Sequence, residues 1–338
     1  MAVATRSQTV IDLREPRVRI PALDAARGLA IVVMLVAVHP GPRGALLSQL
    51  KHPAWHGLTF ADLFFPLFLF AIGGAMGFSR RAASFPSVLR RAAILFALGV
   101  ALQWIRHGAP MLPGVLQHIA MAYVAAWAIL RTRPRTQVLL CAAAVVGYAA
   151  AFFVFADGAD PWSRDGGFAH VVNGWVYGGF RTEGVPQSLF SAVNVVIGAW
   201  AVRRGRPDVR RLGLWAGGLV AAGVLLAPVV PVNKHLWTSS FALLSAGASV
   251  AMFVGLHLLG EWRRGAIRPL EHLGTNAIAV YVVFIGIGGA IARFRGPLDD
   301  AVAGVPDVVV AHAWALTWLV LGWLFARALH RRRIFFKV

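Results

Sequence analysis

The chain has 338 residues, 58% hydrophobic and only 14% charged, with a mean hydropathy of +0.66. Soluble domains carry about 25% charged residues, so a soluble multi-domain fold and a disordered chain are excluded. The net charge of +19, from 33 Lys and Arg against 14 Asp and Glu, would suggest nucleic acid on a soluble chain; on a membrane chain it must first be assigned to a side.

The first residues are polar and basic, without a short apolar core and small-residue cleavage site, so no removable signal peptide is expected. Apolar runs then follow at about 22–40, 60–78, 88–105, 112–130, 137–155, 187–202, 212–230, 238–259, 270–292 and 308–328. Their apolar content, about 196 side chains over the whole chain, matches the ~200 residues that ten spans of ~20 need. The expected fold is an all-α integral membrane protein of about ten transmembrane helices. Residues 22–328 form the polytopic domain, with a cytoplasmic tail at 1–21 and a basic cytoplasmic tail at 329–338.

The basic residues orient it. Arg6, Arg14, Arg17, Arg19 and Arg27 precede or open the first span, and Arg80, Arg81, Arg90 and Arg91 lie in the second connection. Arg131, Arg133 and Arg135 lie in the fourth, and Arg203, Arg204, Arg206, Arg210 and Arg211 in the sixth. Arg263, Arg264 and Arg268 lie in the eighth, and Arg327, Arg331, Arg332, Arg333 and Lys337 close the chain. That is 25 of the 33 cations on one side; Arg43, Lys51, Arg106, Arg164, Arg181, Lys234, Arg293 and Arg295 fall on the other. The positive-inside rule therefore puts both termini in the cytoplasm of a multi-pass protein of the cell (plasma or inner) membrane. No internal repeat is visible. The one long outer loop, about 156–186, either covers a site or is solvated.

Polar groups in or beside spans are costly and point to function. Asp24 and Arg27 are spaced i, i+3 and share a helix face, as a local ion pair or as ligand-binding groups. The segment Lys51 to Leu63, KHPAWHGLTFADL, opens the second span. There Thr59 and Asp62 fit a capping box, which favours a structural role for Asp62. His52 does nothing evident for a helix, and imidazole exchanges protons near neutral pH. His52 and His56 are four apart, as in a helical zinc pair, but Pro53 disfavours the helix, so no metal is expected. His39 ends the first span on the same face. Gln117 and His118 open the fourth span and need partners in lipid. Lys234 is one of few outer cations, and Trp237 fits an interfacial aromatic belt, so both have an anchoring role as the plainer reading. Asn276 places an amide early in the ninth span. The single cysteine, Cys141, excludes a disulfide framework and a cysteine metal site within the chain.

Taken together, these segments resemble the heparan-alpha-glucosaminide N-acetyltransferase family, which includes a lysosomal enzyme and bacterial relatives. The resemblance rests on RIPALDAARG at 19–28, KHPAWHGLTFADL at 51–63, LPGVLQ at 112–117, Glu183-Gly184, PVNKHLWTSS at 231–240 and GTNAIAVY at 274–281. It implies that cytoplasmic acetyl-CoA, as co-substrate, gives its acetyl group to the amine of a glucosamine-like amino sugar on the far side. The family's active-site histidine falls on His52. Its asparagine at the end of the first span falls on His39, making His39 the second expected catalytic group. Asp24, Arg27, Trp55, Asp62, Gln117, Glu183, Lys234, Trp237 and Asn276 are the expected substrate- and acetyl-CoA-binding residues. His39, Gln117 and Asn276 are the expected oxyanion donors. The sequence departs from the family at His39, at His56 in Trp55-His56-Gly57, and at His118 after Leu116-Gln117. The expected partners are acetyl-CoA, the amino sugar and the bilayer, with no nucleic acid; a homodimer is implied by the resemblance alone. The alternative is a transporter or flippase for a sugar or lipid-linked sugar, which would favour paired, broken helices.

Overall fold

The computed structural model describes residues 20–39, 45–77, 84–156, 160–203, 207–291 and 304–336. Arg6, Arg14, Arg17, Arg19, Arg43, Arg80, Arg81, Arg204, Arg206, Arg293, Arg295 and Lys337, used above for orientation, lie outside them.

The described residues are helical, with one isolated bridge between Gly57 and Asn233. The helices are α1 (Pro21–Val38), α2 (Phe64–Met76), α3 (Phe85–His107), α4 (Val115–Leu130), α5 (Pro134–Val154), α6 (Gly167–Tyr177) and α7 (Val185–Phe190). They continue with α8 (Ala192–Val202), α9 (Val209–Leu226), α10 (Ser239–Trp262), α11 (Arg264–Thr275), α12 (Ala277–Ile291) and α13 (Asp307–Arg331). A 3₁₀ turn, Phe60–Leu63, leads into α2. Proline opens α1, α3, α5 and α7, where its missing N–H costs nothing. The Asp208 side chain caps α9 by accepting from the Arg211 amide at 3.1 Å.

Seven described helices are long and apolar enough to cross a membrane, taking α7 and α8 as one segment. Three shorter apolar helices, Phe60–Met76, Val115–Leu130 and Ala277–Gly286, coincide with the expected second, fourth and ninth spans. Three expectations change in detail. The run at 187–202 is two helices that meet at Ser191. The run at 270–292 starts inside amphipathic α11 and breaks at Asn276 before α12. The loop at 156–186 holds helix α6.

The Val185–Val202 segment is the centre of the bundle, 83% buried, whereas α5, α9 and α13 are 22%, 17% and 22% buried and show apolar faces outward. Apolar side chains facing out are stable only against lipid or another apolar surface. α1 packs on α2, α10, α11, α12 and α13. Its crossing with α11 is backbone-close: a Cβ on Gly274 would lie 1.7 Å from the Asp24 carbonyl oxygen, and one on Gly28 1.9 Å from that of Leu270. Two of the sequence motifs thus meet in one helix crossing that tolerates no side chain.

The 18 residues of α1 span about 27 Å at 1.5 Å per residue, with Asp24 near one end of the bundle and His39 just past the other. The connection through Lys51 to Leu63 then turns the chain back into α2. The loops at 160–184 and 227–238 join it at this end.

Candidate functional site

The site is assembled from three loop segments. Leu226 ends α9, and the stretch from Pro231 to Thr238 folds back on itself. Asn233 Oδ1 accepts from the Leu236 amide at 2.9 Å, the Asn233 amide donates to Thr238 Oγ1 at 3.1 Å, and the Thr238 amide donates to the Asn233 carbonyl at 3.1 Å. This tight fold is pinned to the Lys51–Leu63 segment. The Gly57 amide donates to the Val232 carbonyl at 2.9 Å, and His235 Nε2–H to the Pro53 carbonyl at 3.1 Å. Trp55 stacks on His235 with ring centroids 5.4 Å apart, and its indole N–H donates to the Trp162 carbonyl at 2.8 Å. Asn233 and His56 meet at 3.3 Å.

This lacing places three charged or titratable groups together. His52 Nδ1 lies 2.6 Å from Asp62 Oδ1. A carboxylate only accepts, so Nδ1 carries the proton and Nε2 is left with its lone pair. Lys234 Nζ lies 2.9 Å from His52 Nε2, 3.0 Å from Nδ1 and 3.5 Å from Asp62 Oδ1. The other carboxylate oxygen of Asp62 accepts from the Thr59 amide at 2.9 Å and the Thr59 hydroxyl at 3.0 Å, which closes the expected capping box. Asp62 therefore has both roles: one oxygen caps the helix start, the other orients an imidazole. The Asp62 side chain is fully buried and Lys234 nearly so, while the His52 side chain is 40% exposed. Of the three side chains, the His52 ring is the one a ligand can reach.

Glu183 completes the charge set from the third loop. Its turn is cinched by Asn173, whose Nδ2 donates to the Arg181 carbonyl at 3.1 Å and whose Oδ1 accepts from the Val185 amide at 3.2 Å. Gln187 Nε2 donates to the Arg181 carbonyl at 3.0 Å and to the His235 carbonyl at 3.3 Å, tying this turn to the Lys234 loop. Gly184 is there because a Cβ would lie 2.1 Å from Asn173 Oδ1. Burial holds the Lys234 ammonium below the usual lysine value, against the pull of Asp62 and Glu183. Burial raises the Glu183 carboxyl, opposed by Lys234, His52 and Arg106. Burial likewise lowers His235.

Beside Glu183 is a cavity of about 110 Å³, lined also by Gly99, Gln103, Arg106, Gln117 and Tyr281. Gln117 is fully buried there; its Nε2 donates to the Met111 carbonyl at 3.3 Å.

Other expected residues lie elsewhere. Trp237 is not an interfacial anchor. It is 1% exposed in a left-handed backbone conformation, wedged against Phe65, His118 and Phe241, and its indole N–H donates to Asn194 Oδ1 at 3.3 Å. Lys234 is not an anchor either: its side chain is nearly buried and its ammonium lies against His52 and Asp62. His118 Nε2 lies 2.8 Å from the Ser191 hydroxyl, which itself donates to the Ser188 carbonyl, so the imidazole is the donor. His39 is buried, stacked on Trp318 at 4.4 Å and packed against Gly288. At the opposite end, Arg27 donates to Asp24 Oδ1 at 3.0 Å and to the Ala71 carbonyl at 3.3 Å, joining α1 to α2. Asn276, also at that end, donates to the Ile334 carbonyl and accepts from the Phe336 amide, both at 3.1 Å. Among the described residues no group of three or more His, Cys, Asp and Glu side chains is placed to hold a metal ion.

Asn173, Gln187 and His235 position the site yet were not singled out from the sequence. Their one signal is proximity in sequence to Glu183 and Lys234.

The family model for heparan-alpha-glucosaminide N-acetyltransferase, catalytic, matches residues 19–161, which include His52, Asp62 and Gln117. The chain is 31% identical over 124 residues to the heparan-alpha-glucosaminide N-acetyltransferase of Mus musculus, a match covering 31% of this chain and 18% of that protein. It is 34% identical over 89 residues to the protein of the same name from Homo sapiens, covering 26% and 12%. The matches thus span less than a fifth of the length of these curated relatives.

Proposed function

We propose, from the match of residues 19–161 to the heparan-alpha-glucosaminide N-acetyltransferase model and its curated relatives, that the chain belongs to this family and is a transmembrane acetyltransferase. It moves the acetyl group of cytoplasmic acetyl-CoA to the amine of an extracytoplasmic, glucosamine-like amino sugar. It does so across about ten spans of the cell membrane, with both termini in the cytoplasm. The observation that carries the reading is the half-exposed His52 ring held by buried Asp62.

Asp62 fixes the tautomer and leaves His52 Nε2 basic. An amine attacking a thioester must lose a proton, and in this reading Nε2 takes it, an effect of ~10²–10⁴-fold. Asp62 then stabilises the imidazolium, as the carboxylate does in a serine triad. Lys234, against Nε2 at 2.9 Å, swings its ammonium to the thioester oxygen as that oxygen gains charge, which supports the same step electrostatically. The leaving thiolate of CoA takes up the proton.

The test uses purified protein in detergent with labelled acetyl-CoA and glucosamine, and expects labelled N-acetylglucosamine. Turnover unchanged in His52→Ala would overturn the role of His52. No transfer by the wild type to any amino sugar would overturn the function.

A further inference from the structure

The Gln117 amide is oriented by its donor contact to the Met111 carbonyl, so the remaining atom is the carbonyl oxygen Oε1. Oε1 is fully buried and has no hydrogen-bond partner among the described residues. It sits in a notch left by two glycines, 2.1 Å from where a Cβ on Gly99 would be and 2.7 Å from one on Gly114. Both glycines line the cavity described above. Native interiors seldom leave such an acceptor bare; the two glycines give the Gln117 side chain room to lie at the wall of the cavity that it lines.

The rest of the lining narrows the ligand. Gln103 is already committed, donating to the Pro113 carbonyl at 2.9 Å. Glu183 brings acceptors, and Arg106, His107 and the Tyr281 hydroxyl bring donors. A site for the diphosphate of CoA would need clustered guanidinium or ammonium groups; this lining supplies one, Arg106, with the Glu183 carboxyl beside it. Mixed donors and acceptors match hydroxyl groups on a carbon ring. The volume of about 110 Å³ is well above the ~10–15 Å³ that one water needs. Glu183 lines this cavity and also interacts electrostatically with Lys234 and His52, so the cavity and the His52 cluster share one carboxyl group.

We propose that this cavity is the acceptor subsite: Gln117 Oε1 accepts a hydrogen bond from a ring hydroxyl of the amino sugar, and Glu183 and Arg106 flank the same face. The proposal rests on the acetyltransferase reading and adds which end of the acceptor is recognised, and by what.

The experiment measures steady-state transfer to glucosamine and to its 3-, 4- and 6-deoxy analogues by wild type, Gln117→Leu and Gly99→Ala. In Gly99→Ala the new methyl displaces the Gln117 oxygen. Both variants should raise KM for glucosamine about tenfold or more, the scale of one lost hydrogen bond with a desolvated partner, while KM for acetyl-CoA stays within about twofold. One deoxy analogue should be a poor substrate for wild type and be indifferent to Gln117→Leu, because the hydroxyl that meets Oε1 is already gone. Acceptor KM unchanged in both variants, with wild type active, overturns the subsite alone. Equal use of all three deoxy analogues by wild type also overturns it, and needs no variant to fold. Absence of wild-type transfer overturns the acetyltransferase reading and the subsite with it.

Discussion

The two ends of the bundle both gather polar groups, and they use them differently. At the end where α1 stops and α2 starts, His52 is held by Asp62, faced by Lys234 and 40% exposed. At the other end, both amide atoms of Asn276 are taken by the backbone of Ile334 and Phe336, and Arg27 bridges Asp24 and the Ala71 carbonyl. One set brings His52, Asp62 and Lys234 together with the His52 ring reachable. The other latches the last residues onto the break between α11 and α12 and ties α1 to α2. A polar group near a span signals chemistry when it is grouped with other titratable side chains and open to a ligand; buried and bound to backbone, it is a fastening.

Substitutions at the two ends should separate along that line. The largest effect is expected at His52: His52→Ala should lower acetyl transfer by ~10²–10⁴-fold with little change in melting temperature, because its ring is half in solvent. Lys234→Met comes next. It leaves the buried Asp62 carboxylate without its cation, and removing one member of a buried pair costs ~3–5 kcal/mol, read as a lower midpoint in thermal unfolding together with reduced kcat. A midpoint equal to wild type would show that Lys234 is not part of the cluster. Asp62→Asn should keep the fold and lose activity, since an amide has one acceptor oxygen for two duties, the cap and the imidazole. Asp62→Ala should add a loss of ~0.5–2 kcal/mol for the missing cap. Asn276→Ala should do the reverse of His52→Ala: a stability loss of ~1–3 kcal/mol from two freed backbone groups, with activity within a few fold. A large fall in kcat there, at unchanged stability, would erase the contrast between the ends.

The smallest expected effect is a pH dependence. The Glu183 carboxyl is raised above its usual 4.5 in the folded protein. Between those two values the folded state holds a proton that the unfolded state has released. Glu183 therefore contributes stability at low pH that is lost as pH rises through its folded value. Melting temperatures measured from pH 4 upward should decline over that window in wild type, relative to Glu183→Gln. Parallel curves for the two proteins would remove Glu183 from the set of shifted groups.

Much of this architecture is legible in the residues. Helices in lipid must satisfy their own backbone, so apolar run length and flanking arginines are nearly sufficient to locate them. The breaks at Ser191 and Asn276 were not legible, because an apolar run gives no sign of where helical hydrogen bonding pauses. The capping box of Thr59 and Asp62 was visible as spacing; the second oxygen of Asp62 was not, because its partner is fixed by the path of a connection rather than by helix periodicity.

Length, composition and the order of apolar runs by themselves determined that this is a helical membrane protein, and motif spacing drew attention to the segment around His52. Tertiary structure alone decided that Lys234 faces His52 and Asp62, that Trp237 is core, and that Asn276 is a latch. The physical reason is range. Periodicity and capping act over a few residues, whereas the meeting of His52 with Lys234 spans 182 positions and depends on how two loops are laced at one end of a packed bundle.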